Sequence, residues 1–240
     1  MKTVHFTETV EAKTKLDVWV EIGSVEIRPS ADDNLHIEAT YRHMDIWVER
    51  HEGTIFVRAE QDADFIQKLA RLFRNNHPKA KLIIDVPAHC PIQAKTVTGS
   101  MAIEGVAAPV SARVVAGQLR MQDIDGSIYA KAVTGQLTYT GNLTDENHRF
   151  ESATGEIVLT IPETVNAQLS AKTGVGNVSC TLPLTDQRAE RHLVGGNLWG
   201  ILGSGAGRIK AKIGTGTLEI RPLHPKQKEP EEQIPEPELV

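Results

Sequence analysis

The 240-residue sequence predicts an all-β protein: a single-stranded parallel β-helix (a β-solenoid), expected to wind right-handed, with one short helical insertion. Three observations carry this. First, glycines recur at fixed spacing: Gly99, Gly117, Gly126 and Gly135 stand 18, 9 and 9 residues apart, and a fixed period with a glycine before each short strand marks a repeat architecture. Second, the positions two and four after each glycine are apolar, as in Met101 and Ile103, Leu119 and Met121, Ile128 and Ala130, Leu137 and Tyr139. Successive strand side chains point to opposite faces, so each apolar pair looks inward together while its mostly polar neighbours look outward. Third, VPAHCPIQAKTVTG (86–99) and IPETVNAQLSAKTG (161–174) are two copies of one segment 75 residues apart, each with a glycine 12 residues after its proline.

Each glycine is expected to supply a positive-φ turn that a residue with a Cβ adopts only at a cost. Nine-residue strand–turn units then pair into coils of about 18 to 20 residues, stacked about 4.8 Å apart through strand hydrogen bonds. No such coil is stable without its neighbours.

In chain order, residues 4–60 read as short alternating strands (Leu16-Val18-Val20, Val25-Ile27, Leu35-Ile37-Ala39, Ile46-Val48, Ile55-Val57) with turn clusters at 31–34 and 51–53. They are less regular than the middle, as terminal coils are. Over 62–77 the pattern changes: Phe65, Leu69, Leu72 and Phe73 follow helical spacing, with Lys68, Arg71 and Arg74 on the remaining surface. Asp62 or Asp64 caps that helix and Asn75, Asn76 and Pro78 stop it. Its plain role is to seal a sheet edge. Its sharper role is a basic amphipathic contact with a membrane surface or acidic partner, carried by those three cations.

Residues 82–183 form the regular solenoid. Residues 184–206 read as an irregular loop folding Leu198, Trp199 and Ile201 onto the stack, and their glycines fit neither GxGxxG nor GxxxxGK[ST]. Two last strands, Ile209–Ala211 and Leu218–Ile220, complete a single domain over 1–222. Residues 223–240, rich in Pro and Glu, are expected to be disordered.

Composition narrows the function classes. Aromatics make up only 5% and glycines number 19, which suits thin stacked layers. A net charge of −5 gives no overall field to recruit nucleic acid or acidic lipid. Two cysteines are no disulfide framework, and Cys90 and Cys180 both fall on inward apolar positions, where a free cysteine acts as a small hydrophobe. The first ten residues hold no apolar core of a signal peptide, and no window holds 18 apolar residues, so the expected compartment is the cytoplasm.

No cofactor motif and no metal-ligand spacing occurs. His148 and His192 are expected as solvated loop histidines. HExxH and GxSxG are absent. Asp123 with Asp125, and Asp145 with Glu146, flank turns. Paired carboxylates serve glycoside cleavage or Ca²⁺ binding, but acidic residues are also ordinary turn formers, and the reading is of a protein that is not an enzyme.

The frames KTVTGSMAIEGV (95–106), ARVVAGQLRMQDIDGSIYAKAVTGQLTY (112–139) and SATGEIVLTIP (152–162) resemble the bacterial β-strand-repeat family known as putative adhesins. The likeness covers most of residues 15–221. It implies a single-stranded β-helix and carries no site residues, and some relatives are tied to the cell envelope and envelope stress. A looser resemblance is to the bactofilins, short β-helical proteins that polymerise end to end. The function expected is therefore a non-catalytic binding scaffold whose outward faces take a protein or an envelope glycan, with peripheral membrane contact open and nucleic acid not expected. The alternatives are a carbohydrate-active enzyme on a β-helix and a self-assembling bactofilin-like scaffold.

Overall fold

The structure, a computed structural model, describes residues 1–61, 79–191 and 194–223. The helix expected over 62–77, with Lys68, Arg71 and Arg74, and nearly all of the expected disordered tail lie outside these residues. No described segment is helical. Fourteen strands hydrogen-bond into one sheet among the described residues.

Seven strands run parallel through its centre. In spatial order they are β2 (Lys15–Pro29), β7 (Ile92–Glu104), β8 (Val110–Gln122), β9 (Ile128–Thr140), β10 (Asn147–Ile161), β14 (Gly207–Pro222) and β11 (Ala167–Cys180). Their register aligns one glycine per strand: Gly23, Gly99, Gly117, Gly135, Gly155, Gly216 and Gly176. Ile92 pairs with Val110 and Val110 with Ile128, an offset of 18 residues, while Tyr129 pairs with Arg149, an offset of 20.

The aligned glycines sit inside long strands, not at turns, which corrects the nine-residue unit. In β7 the buried residues are Ile92, Ala94 and Thr96, then Met101 and Ile103, so the buried phase switches from even to odd at the glycine. Each strand is thus two arms joined at a bend, and both arms face the same interior. The bend needs glycine for two reasons at Gly117: its φ is +140°, and a Cβ would lie 1.7 Å from the carbonyl oxygen of Gly99 on the neighbouring strand. Gly126, counted in the same series from the sequence, lies in the connection after β8 and has no positive φ.

The connections form a third layer. The amide of Ala107 donates to the carbonyl of Ala88 at 2.7 Å, and that of Asp125 to Val106 at 2.8 Å. Val106, Ala108, Ile124 and Leu143 turn inward from this layer to join the arms' apolar column. The column also holds Tyr139 against Phe150, with ring centroids 5.7 Å apart. The inward residues expected after Gly99, Gly117, Gly135 and Gly155 are all buried.

Both ends of the stack splay. The first arm of β2 pairs with β5 (Thr54–Glu60), which carries antiparallel β4 (Asp45–His51). The second arm of β2 pairs with β6 (Lys79–Val86), followed by antiparallel β3 (Asn34–Arg42) and β1 (Lys2–Thr9). At the other end, the first arm of β11 carries β13 (Gly196–Leu202) and β12 (Thr185–Arg191), both antiparallel to their neighbours. The segment expected as an irregular loop is therefore mostly a strand pair. The second arm of β11 has β14 as its one strand partner among the described residues, and so Val178 and Cys180 are half-buried rather than buried.

The 75-residue duplication has a structural reason. After β6 the chain steps over β2 to reach β7, and after β10 it steps over β14 to reach β11. Each copy spans such a two-strand step. Each opens with a tight turn, Cys90 donating to Pro87 and Val165 to Pro162. In each, the skipped strand begins against the copy: Leu16 donates to Pro91, and Gly207 to Asn166.

Candidate functional site: the outer face of the first arms

Outward positions on stacked parallel strands line up in rows parallel to the stack axis. On the first arms, one row runs Asp17, Gln93, Ser111, Tyr129, Arg149 and Lys210 across β2 to β14. The next row, four residues before each bend glycine, runs Trp19, Lys95, Arg113, Lys131, Glu151, Lys212 and Lys172. A groove of about 590 Å³ follows the first row from β5 to β10. Its floor is apolar, from Leu16, Ile92, Val110 and Ile128, and its polar rungs include Gln93, Ser111, Tyr129 and Asn147.

Aromatic rings on this face hold cations in place. Lys95 Nζ lies 4.0 Å above Trp19, the Arg58 guanidinium 5.0 Å above Phe56, that of Arg149 5.7 Å above Tyr129, and that of Arg188 5.8 Å above Trp199. Such contacts are worth about 0.5–1 kcal/mol at exposed sites and fix the direction of a long side chain. Every cation–ring contact among the described residues is on this face. Glu151 accepts from Arg149 Nε at 2.6 Å and pairs with Lys131 at 3.8 Å. The guanidinium of Arg149 is held above its ordinary pKa first by that hydrogen bond and then by the carboxylate charge. Asp17 is paired with Arg58 and accepts from Gln93 at 2.9 Å.

The opposite face is built differently. On the second arms Arg28 pairs with Asp85, Gln136 donates to Glu156 at 2.7 Å, and Arg221 stands 3.9 Å from Glu219. On the outward second-arm positions of the seven parallel strands, no two like charges stand directly opposite each other in the register.

The residues singled out from sequence are scattered. Asp123, Asp125, Asp145 and Glu146 are all exposed in the connecting layer, and Asp123 holds a left-handed φ of 49°. Among the described residues no three His, Cys, Asp or Glu side chains gather as a metal site. His148 is a correction: it is 1% exposed, inward-facing on β10, with Nε2 2.9 Å from the Thr144 carbonyl. Desolvation holds its pKa below the ordinary value. His192 lies outside the described residues. Cys90 is buried as expected, and desolvation pushes its thiol up to about 11.

The cationic row lies on the arm before each bend, whereas the apolar sequence pattern runs forward from each glycine. Counting four residues backward from Gly99, Gly117, Gly135, Gly176 and Gly216 gives Lys95, Arg113, Lys131, Lys172 and Lys212. That column was legible, but it has meaning only once the glycine is known to be a bend between two arms of one strand.

The fold and face define a parallel-stacked all-β protein with a grooved, cation-bearing outer face. Among solved structures the chain is similar to a putative cell adhesion protein from Clostridium sporogenes, at 14% identity and a TM-score of 0.46 over 92% of this chain and 100% of that one. It is also similar to a putative adhesin from Bacteroides fragilis (15% identity, TM-score 0.34, 92% and 97% covered) and a putative lipid binding protein from Parabacteroides distasonis (12% identity, TM-score 0.29, 92% and 94% covered). No family model matches the chain, and no curated protein matches it.

Proposed function

We propose that this chain is a single-stranded β-solenoid that works as a non-catalytic, adhesin-like binding protein, with the first-arm face holding an extended glycan along the stack axis. What supports the winding is the 18-to-20-residue strand offset together with the laddered connecting layer, which gives each repeat three hydrogen-bonded sides. A right-handed turn is the sense that parallel crossovers nearly always take. The observation that carries the binding role is the groove with an apolar floor and regularly spaced polar rungs. Recognition sites are concave and mostly apolar, with few polar groups that fix orientation.

The test is binding of the full chain to immobilised envelope polysaccharides, with reducing-end release measured alongside. Retention without release is the expected result. Release that disappears in Asp123→Asn or Asp145→Asn would instead make the protein a glycan-cleaving enzyme. An envelope glycan lies outside the cytoplasm, so this reading and the cytoplasmic expectation are also separated by cell fractionation.

A further inference from the structure

Five of six neighbouring strands carry a cation in the row four residues before the bend glycine, namely Lys95, Arg113, Lys131, Lys212 and Lys172 on β7, β8, β9, β14 and β11, while β10 between them has Glu151 there and Arg149 in the next row. Register sets Lys95 beside Arg113 beside Lys131, and Lys212 beside Lys172. With strands about 4.8 Å apart, the file is about 24 Å long. Glu151 is shared between Lys131 and Arg149, whereas Arg113, Lys172 and Lys212 make no ion pair among the described residues.

Like charges set directly opposite on neighbouring strands destabilise a sheet. This chain, with a net charge of −5, nevertheless sets Lys95, Arg113 and Lys131, and again Lys212 and Lys172, directly side by side, while the outward rows of its second arms hold no such like-charged neighbours. A stack built for stability alone would avoid such neighbours on both faces. The cost is explained if a ligand supplies the missing anions.

We infer that the first-arm face binds a linear acidic polysaccharide, with a carboxylate or sulfate on most of its sugars, laid parallel to the stack axis. This rests on the glycan-binding reading and names the class of glycan. A file of charge beside a parallel groove fits a chain, whereas a membrane surface would call for a broad patch with protruding apolar side chains. Trp19, Phe56, Tyr129 and Trp199 are all half-buried instead. Each of these four rings also has a cation over its face, and the exposed Trp47 stands by itself on the edge strand β4, so the face lacks the row of open rings on which single-stranded nucleic acid stacks successive bases. The Gln93 side-chain carbonyl, Ser111 and Asn147 remain to hydrogen-bond sugar hydroxyls.

The experiment measures binding of the full chain to labelled polygalacturonate, its neutral methyl ester, oligo-dT and phosphatidylglycerol vesicles. Polygalacturonate should bind tightest and weaken as salt shortens the screening length. Combined Lys95→Glu, Arg113→Glu and Lys131→Glu should keep the far-ultraviolet spectrum and weaken binding more than about thirtyfold. Arg120→Glu, on the second arm, should leave it unchanged. If the triple variant misfolds, Lys172→Gln with Lys212→Gln replaces it, with a loss of about fivefold expected. Equal binding of the neutral ester overturns the acidic ligand while leaving glycan binding standing. Tighter binding of oligo-dT or vesicles, or full binding by the folded charge variants, overturns it as well.

Discussion

At the scale of single residues, the bend glycines are the least replaceable positions. Gly117 combines a φ of +140° with a Cβ site 1.7 Å from a backbone oxygen that cannot move without shifting its own strand. Gly53 has a φ of +76°, but the nearest atom to its Cβ site is 3.8 Å away. Gly53→Ala should therefore cost only the left-handed strain, about 1–2 kcal/mol, whereas Gly117→Ala should cost about 4 kcal/mol or more, since overlap is added to strain. Urea titration of the two variants separates these outcomes. The two thiols should differ as well. Cys90 is 1% exposed with its Sγ toward the Thr14 carbonyl, while half-buried Cys180 lies on the open second arm of β11. Desolvation raises the pKa of both, so labelling should be slow, with one thiol modified in the native protein and two after denaturation. His148 links stability to pH. Its folded pKa lies below 6.5 because burial disfavours the imidazolium, so the unfolded chain binds the proton more tightly. Its contribution is complete above the unfolded value and is lost as pH falls below it. The drop in melting temperature between about pH 7.5 and pH 5 should be smaller in His148→Leu than in the parent.

At the scale of elements, β14 is the unusual strand. It is last in sequence among the described strands yet lies between β10 and β11, hydrogen-bonded along both edges and aligned glycine to glycine with each. A chain ending at residue 206 would lack an internal rung. β11 to β13 would then have no parallel partner, while β2 to β10 would keep theirs. Such a chain should retain a folded amino-terminal stack and become susceptible to protease within 162–206. It should also lose the ordered fluorescence of Trp199, the one tryptophan in that part. A synthetic peptide of residues 207–222 should restore protection by taking the vacant place, as extended peptides do when they add to open sheet edges. Uniform unfolding of the truncated chain, tracked by all three tryptophans together, would mean that the stack is one cooperative unit.

At the scale of the whole molecule, what was legible in the sequence was local and what was missed was not. The inward pairs Leu119 and Met121, or Leu137 and Tyr139, follow from alternation within one strand, and all four are buried. The bend at Gly117 reads as a turn in the sequence, because positive φ serves both and only the neighbouring Gly99 carbonyl distinguishes them. The order of β14 and β11, the strand pair at 185–202 and the cationic file depend on which distant segments meet, and no spacing within a segment records that. The long-range pairing also sets how stability is distributed. In a stack whose units contact only their neighbours, stability is a sum of interface terms, and inner units gain from two interfaces where outer ones gain from one. β8, β9 and β10 are paired along both arms on both sides. Among the described residues β4 and β12 each pair with one strand, and over a single arm's length. Hydrogen exchange should therefore be slowest at Leu119, Leu137 and Ile157, whose opening requires disruption of the central stack. It should be fastest at the two ends, where opening breaks one short antiparallel ladder. A flat protection profile from β4 through β12 would contradict this gradient, since it requires every strand to open at the same free energy.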